Sequence, residues 1–131
     1  MIEEPWFSIV VLIARILMSV VYLVSSIEKG LNFSTALEEF AKAGVPALRF
    51  AVVATIVLHF VASICLIAGW FVTEMATALA LFTLAATIKV HAFWNMSGAE
   101  RLERSRIALA NFALVGGLLL LAATGPGSMV L

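Results

Sequence analysis

The chain has 131 residues, 63% of them hydrophobic and only 12% charged, and its formal net charge is zero. A water-soluble domain is about half apolar and roughly a quarter charged, and a chain this short has no core large enough to hide such an excess of apolar surface. The balance excludes an ordinary soluble domain and leaves no electrostatic case for nucleic acid as a partner.

Four runs are long enough to cross a bilayer, which takes roughly 20 mostly apolar residues. They cover about 5–26, 47–71, 73–93 and 106–124 within one domain, 1–131. The first run carries Glu3 and Glu4 where a signal peptide has its basic segment, holds Arg15 at its centre and has no small-residue cleavage site behind it. It is expected to be a retained helix. Between the first two runs, Ser34 and Thr35 stand three to four residues before Glu38 and Glu39, which is capping-box spacing. Gly44 and Pro46 supply a stop. Residues 35–43 place Leu37, Phe40 and Ala41 on one side and Glu38, Glu39 and Lys42 on the other, which predicts a short amphipathic interfacial helix. The second and third runs are joined by a turn so short that they must be antiparallel neighbours. Before the fourth run, Ser97 and Glu100 have capping-box spacing and Glu100 and Arg104 form an i,i+4 pair, so that helix is expected to start near Gly98. Gly125, Pro126 and Gly127 end it. Ala76/Ala80 and Ala113/Gly117 have the small-xxx-small spacing that lets helices approach. The expected fold is all-α, an integral membrane four-helix bundle.

Of the eight Lys and Arg, all but Arg15 lie at or between the ends of the first and second, or third and fourth, runs. Positive charge marks the cytoplasmic side, so both termini are expected outside the cytoplasm.

Arg15 is the anomaly. A midplane arginine costs about 3 kcal/mol on insertion scales. On a helix it shares a face with Ser19, Tyr22, Ser26 and Lys29, and this polar stripe should face protein. No Asp or Glu lies deep inside any span; Glu74 stands at the very start of the third. Its candidate partners are therefore Ser19, Tyr22, Asn111, free carbonyls, neutral His59, water or a ligand. Two readings stay open: a structural clamp, or a site for an anion or a carbonyl-bearing cofactor such as quinone. By residue count His59 lies near the midplane, while Lys89, His91, Trp94 and Asn111 lie towards the cytoplasmic side. His59 and His91 differ in depth by roughly 10 to 15 Å along the membrane normal, which disfavours a haem held between them. Cys65 is alone, so neither an internal disulfide nor a cysteine metal centre is expected. No nucleophile–base motif, phosphate loop or metal-ligand spacing is visible.

Several segments together resemble the DoxX family of small bacterial membrane proteins. These are the Arg-led first helix from Arg15 through Ser26 to Lys29, the Gly-x-Pro segment 40–46, the His-x-Phe-Trp box 91–94 and the closing helix from Asn111 to Gly127. Two departures stand out: family members often carry Glu about where His59 stands, and Gly where Ser63 stands. Ala110 also replaces a frequent Lys. The resemblance implies a four-helix bundle in the bacterial cytoplasmic (inner) membrane. Its relatives include the membrane subunit of thiosulfate:quinone oxidoreductase and components of oxidative-stress complexes. The expected function is a membrane subunit of a redox or respiratory-type complex, contacting quinone or lipid through the stripe. In that role Arg15 bonds an anionic or carbonyl group, Tyr22, Ser26 and Lys29 continue the path, His91 and Trp94 frame its mouth, and Asn111 bonds across helices. The alternative is a non-catalytic accessory subunit that stabilises a larger assembly. A small carrier ranks last. The expected partners are the lipid bilayer and other membrane subunits or further copies of the chain, with no covalently bound cofactor.

Overall fold

The computed structural model of the chain describes residues 5–89, 94 and 96–131. Among these there are five helices and no strand: α1 (Pro5–Leu31), α2 (Phe33–Lys42), α3 (Leu48–Ala68), α4 (Val72–Lys89) and α5 (Gly98–Thr124). Four of them, α1, α3, α4 and α5, are long and apolar enough to cross a membrane, and α2 is the short amphipathic helix between the first two. The fold is the all-α membrane bundle the sequence predicts. Successive spans run in opposite directions. One end of the bundle carries the Gly69–Phe71 turn and the last residues of the chain. The other carries Lys29, Lys89 and α2, and is called the basic end below.

Local chemistry sets the boundaries. The second span stops at Ala68 because Gly69 takes a left-handed conformation (φ 87°) and its amide bonds back to the Cys65 carbonyl at 2.8 Å. α1 runs on to Leu31, past the expected 5–26, so Lys29 belongs to its last turn. The end of the expected third span, 90–93, lies outside the described residues.

The expected capping boxes do not form. The backbone passes from α1 into α2 by Asn32 N–H to Glu28 O (2.9 Å) and Ala36 N–H to Asn32 O (3.1 Å). The chain thus enters α2 directly from the last turn of α1, and Asn32, at the N-cap position, makes no side-chain cap bond. Ser97 stands at the N-cap of α5 in extended conformation, but its side chain makes no cap bond either. The expected stop does form: Gly44 adopts φ 75° and the Val45 amide bonds back to Phe40 O at 3.1 Å, a 6→1 closure of Schellman type. Ala36 and Phe40 are the buried side of α2 and pack with Val52 of α3, whereas Ala41 is exposed.

The closest helix pairs are α1 with α3 and α4 with α5. The main core fills the turn half of the bundle, where Val11, Ala62, Leu66, Val72, Ala76 and Leu118 pack together. Ala76 and Ala80 are both buried there. Gly117 lets Met18 of α1 approach α5 so closely that an added Cβ would sit 2.1 Å from its methyl. Ala113, its small partner in sequence, is exposed. Ile9, Ile13, Leu17, Val20 and Val24 form an exposed apolar face on α1, as a lipid-facing helix requires. Several helix hydroxyls are satisfied by their own backbone, as in Ser63 Oγ–H to His59 O and Thr55 Oγ–H to Ala51 O.

Candidate functional site

Arg15 is 1% exposed and its guanidinium donates only to backbone carbonyls. Nε bonds Leu66 O and Nη2 bonds Ile67 O, both at 2.7 Å. Nη1 bonds Pro126 O at 2.9 Å and Met129 O at 2.6 Å. The side chain of a helical residue leans towards the helix N-terminus, so Arg15 reaches away from the rest of the stripe and caps α3. The last carbonyls of a helix have no intrahelical donor. Here Arg15 takes those of Leu66 and Ile67, and the Leu131 amide takes Ala68 O at 2.9 Å. The guanidinium charge also complements the negative end of the α3 dipole. Gly69 makes room: a Cβ there would lie 2.9 Å from Nη2. Ser8 fixes the same closing segment, accepting from Ser128 N–H at 3.1 Å and bonding its hydroxyl at 2.8 Å.

Ser19, Tyr22 and Ser26 are buried with Arg15 on one face of α1, but the stripe is not one site. Ser19 bonds its own helix at Arg15 O and Ser26 bonds Leu23 O. A cavity of about 180 Å³ opens in the basic half instead, lined by the expected residues Tyr22, Lys29, His59 and Asn111, from three of the spans, and by Ser25 and Thr83. Arg15, Ser19, Ser26 and Trp94 do not line it. Trp94 is exposed, so the mouth is framed by Glu39 and Phe40 of α2. Glu39 reaches Arg104 of α5 at 3.8 Å. His91 lies outside the described residues.

One wall is a hydrogen-bonded chain. Lys29 Nζ donates to Ser25 Oγ at 2.8 Å, and Ser25 Oγ lies 3.3 Å from His59 Nδ1. The imidazole is packed edge-on to Tyr22 (centroids 5.0 Å apart) and Phe82 (4.9 Å). It is 4% exposed, and its Nε2 is buried without a hydrogen-bond partner among the described residues. The opposite wall pairs Tyr22 Oη with Thr83 Oγ1, and Asn111 Nδ2 donates to Thr87 Oγ1 at 3.0 Å. Thr87 passes its own hydrogen to Thr83 O at 2.7 Å.

A family model described as DoxX matches residues 10–92. The chain belongs to the DoxX family. It is similar to the inner membrane protein YphA of Escherichia coli (strain K12), at 28% identity over 123 residues covering 94% of this chain and 88% of that protein. It is also similar to the inner membrane protein YqjF of the same organism, at 30% identity over 118 residues covering 90% and 85%. No solved structure matches the chain significantly. The inner-membrane relatives and the four apolar helices make this DoxX protein a multi-pass inner membrane protein. The DoxX match takes in Arg15 and the α1, α3 and α4 walls of the cavity, while Asn111 lies beyond it.

Ser25, Phe82, Thr83 and Glu39 were not legible as site residues. A helical row stepped from Arg15 passes over Ser25, although Ser25 and Lys29 are an i,i+4 pair. Thr83 and Thr87, likewise four apart on α4, carry a similar signal. Glu39 joins the cavity only because α2 folds under the bundle.

Proposed function

We propose that this DoxX protein is a membrane subunit of a redox or respiratory-type complex and that its cavity holds the carbonyl headgroup of a quinone. The observation that carries this reading is the buried, unpartnered Nε2 of His59. In this reading Ser25 Oγ accepts from Lys29, whose ammonium only donates, and turns its own hydrogen to His59 Nδ1. Ser25, unlike Ser19, Ser26 and Ser63, has no back-bond to its helix among the described contacts. With Nδ1 accepting, the imidazole proton sits on Nε2. The unmet atom is thus an N–H donor, and its complement is an acceptor such as a carbonyl oxygen. A buried donor left unpaired costs about 1–3 kcal/mol, which a bound carbonyl returns. Redox complexes are what the family resemblance implies, and the basic loops favour a cytoplasmic position for the site.

The test is titration of the purified protein in nanodiscs with ubiquinone-1, which has one isoprenoid unit. The native protein is expected to bind it, and His59→Phe to weaken binding at least tenfold. Equal binding by the variant, or none by the native protein, contradicts the reading.

A second reading, a non-catalytic accessory subunit, is favoured by Arg15, whose described hydrogen bonds all go to the chain's own carbonyls. In that case the bundle co-purifies with a larger assembly whose turnover is indifferent to His59→Phe.

A further inference from the structure

A second cavity of about 350 Å³ lies between α3 and α4 in the same half of the bundle. Its walls are Ala51, Ala54 and Leu58 of α3 facing Ala85 and Ala86 of α4. The seam is unfilled where the facing side chains of α3 and α4 are short alanines. Ala54 and Ala85 are exposed, so the groove opens at the lipid-facing surface. It shares Phe40, Phe82 and Ala86 with the His59 cavity. The ring of Phe82 therefore stands between a polar chamber and an apolar one.

We infer that the α3–α4 groove is the lateral portal through which the ligand's apolar tail leaves for the bilayer, with its headgroup at His59. This rests on the headgroup reading above and adds to it the shape of the ligand and its route of entry. The occupant is a single isoprenoid or alkyl tail, and three observations favour it. The two chambers share a wall formed by Phe40, Phe82 and Ala86. Polar side chains converge in the first, at Tyr22, Ser25, Lys29, His59 and Asn111, whereas the second is walled mainly by apolar side chains, its polar residues being Lys89 at the basic end and Thr55, which spends its hydroxyl on Ala51 O at 2.8 Å. The volumes together fall in the roughly 300–1,000 Å³ range of small-molecule sites, which are mostly apolar with a few convergent polar groups. An amphiphile whose head needs a donor and whose tail needs none matches that division.

The experiment compares ubiquinone-1 with decylubiquinone, which has a ten-carbon tail, on the full chain in nanodiscs. Ala54→Phe and Ala85→Phe each fill the groove from an exposed rim position. Each is expected to lower decylubiquinone affinity at least tenfold and to leave ubiquinone-1 within twofold, so the short quinone also reports that the variants are folded. Equal effects on both quinones, or none on either, overturn the portal while the headgroup reading stands. Failure of the native protein to bind either quinone overturns both. A second measurement needs no variant: decylubiquinone carrying a diazirine at its tail end is photolysed on the native protein. Label on α3 and α4 supports the portal, and label confined to α1 or α5 overturns it. Native mass spectrometry showing a phospholipid that decylubiquinone does not displace would likewise overturn it, since the groove would then be a lipid site.

Discussion

At the scale of single residues, Arg15 and His59 are opposite cases of a buried polar group. Arg15 has its needs met within the chain, at four carbonyls, and His59 has one atom left over. Arg15→Leu is expected to lower stability by about 3 kcal/mol or more, since several part-buried carbonyls lose their donor at about 1–3 kcal/mol each. Gly69→Ala acts on the same contact, combining a left-handed backbone penalty of about 1–2 kcal/mol with the clash against Nη2. Reversible unfolding in detergent measures both, and the folded fraction of Arg15→Leu should still bind ubiquinone-1 within twofold. Unchanged stability with lost binding would instead make Arg15 a ligand contact. His59→Phe should keep stability within about 1 kcal/mol, because an apolar ring replaces an unpaired donor. The sequence marks Arg15 as the anomaly, but its partners could not be read there. They are backbone atoms 51 to 114 residues away, and backbone carbonyls leave no trace in residue identity.

At the scale of elements, the helices are legible because span length and apolar composition decide them, and the polar row of α1 is legible because its period is helical. The caps are not legible. Capping-box spacing at Thr35–Glu38 describes a free helix start, and α2 has none, since the chain turns into it directly from the end of α1 at Asn32. Across helices, the pairs that hold α4 in place are Tyr22–Thr83 to α1 and Asn111–Thr87 to α5. Interhelical hydrogen bonds in membranes are worth about 0.6 to 2 kcal/mol. Asn111→Leu is expected to cost about 1 kcal/mol by the same unfolding assay, and Thr87→Val a similar amount. The double variant should cost little more than either one, because both remove a single bond. Full additivity would show that the two side chains do not meet.

At the scale of the whole molecule, the bundle is closed at one end and open at the other. Arg15, Ser8 and Gly69 bind the closing segment to the α3 terminus above a packed core. In the basic half, alanines on α3 and α4 leave the helices apart, and α2 covers the gap with Phe40. The fold was therefore readable from composition and periodicity, whereas the cavity was not. It arises from short side chains on helices not marked as a site, and from the packing of an interfacial helix beneath them. A quinone carbonyl at His59 requires the imidazole proton on Nε2. Nitrogen-15 NMR of the histidine-labelled protein in nanodiscs, with His91→Gln removing the other imidazole, reads it directly. A protonated Nε2, an accepting Nδ1, and a shift of the Nε2–H resonance when ubiquinone-1 is added are expected. A proton on Nδ1 with a bare Nε2, or a resonance that quinone leaves unmoved, would contradict the quinone reading.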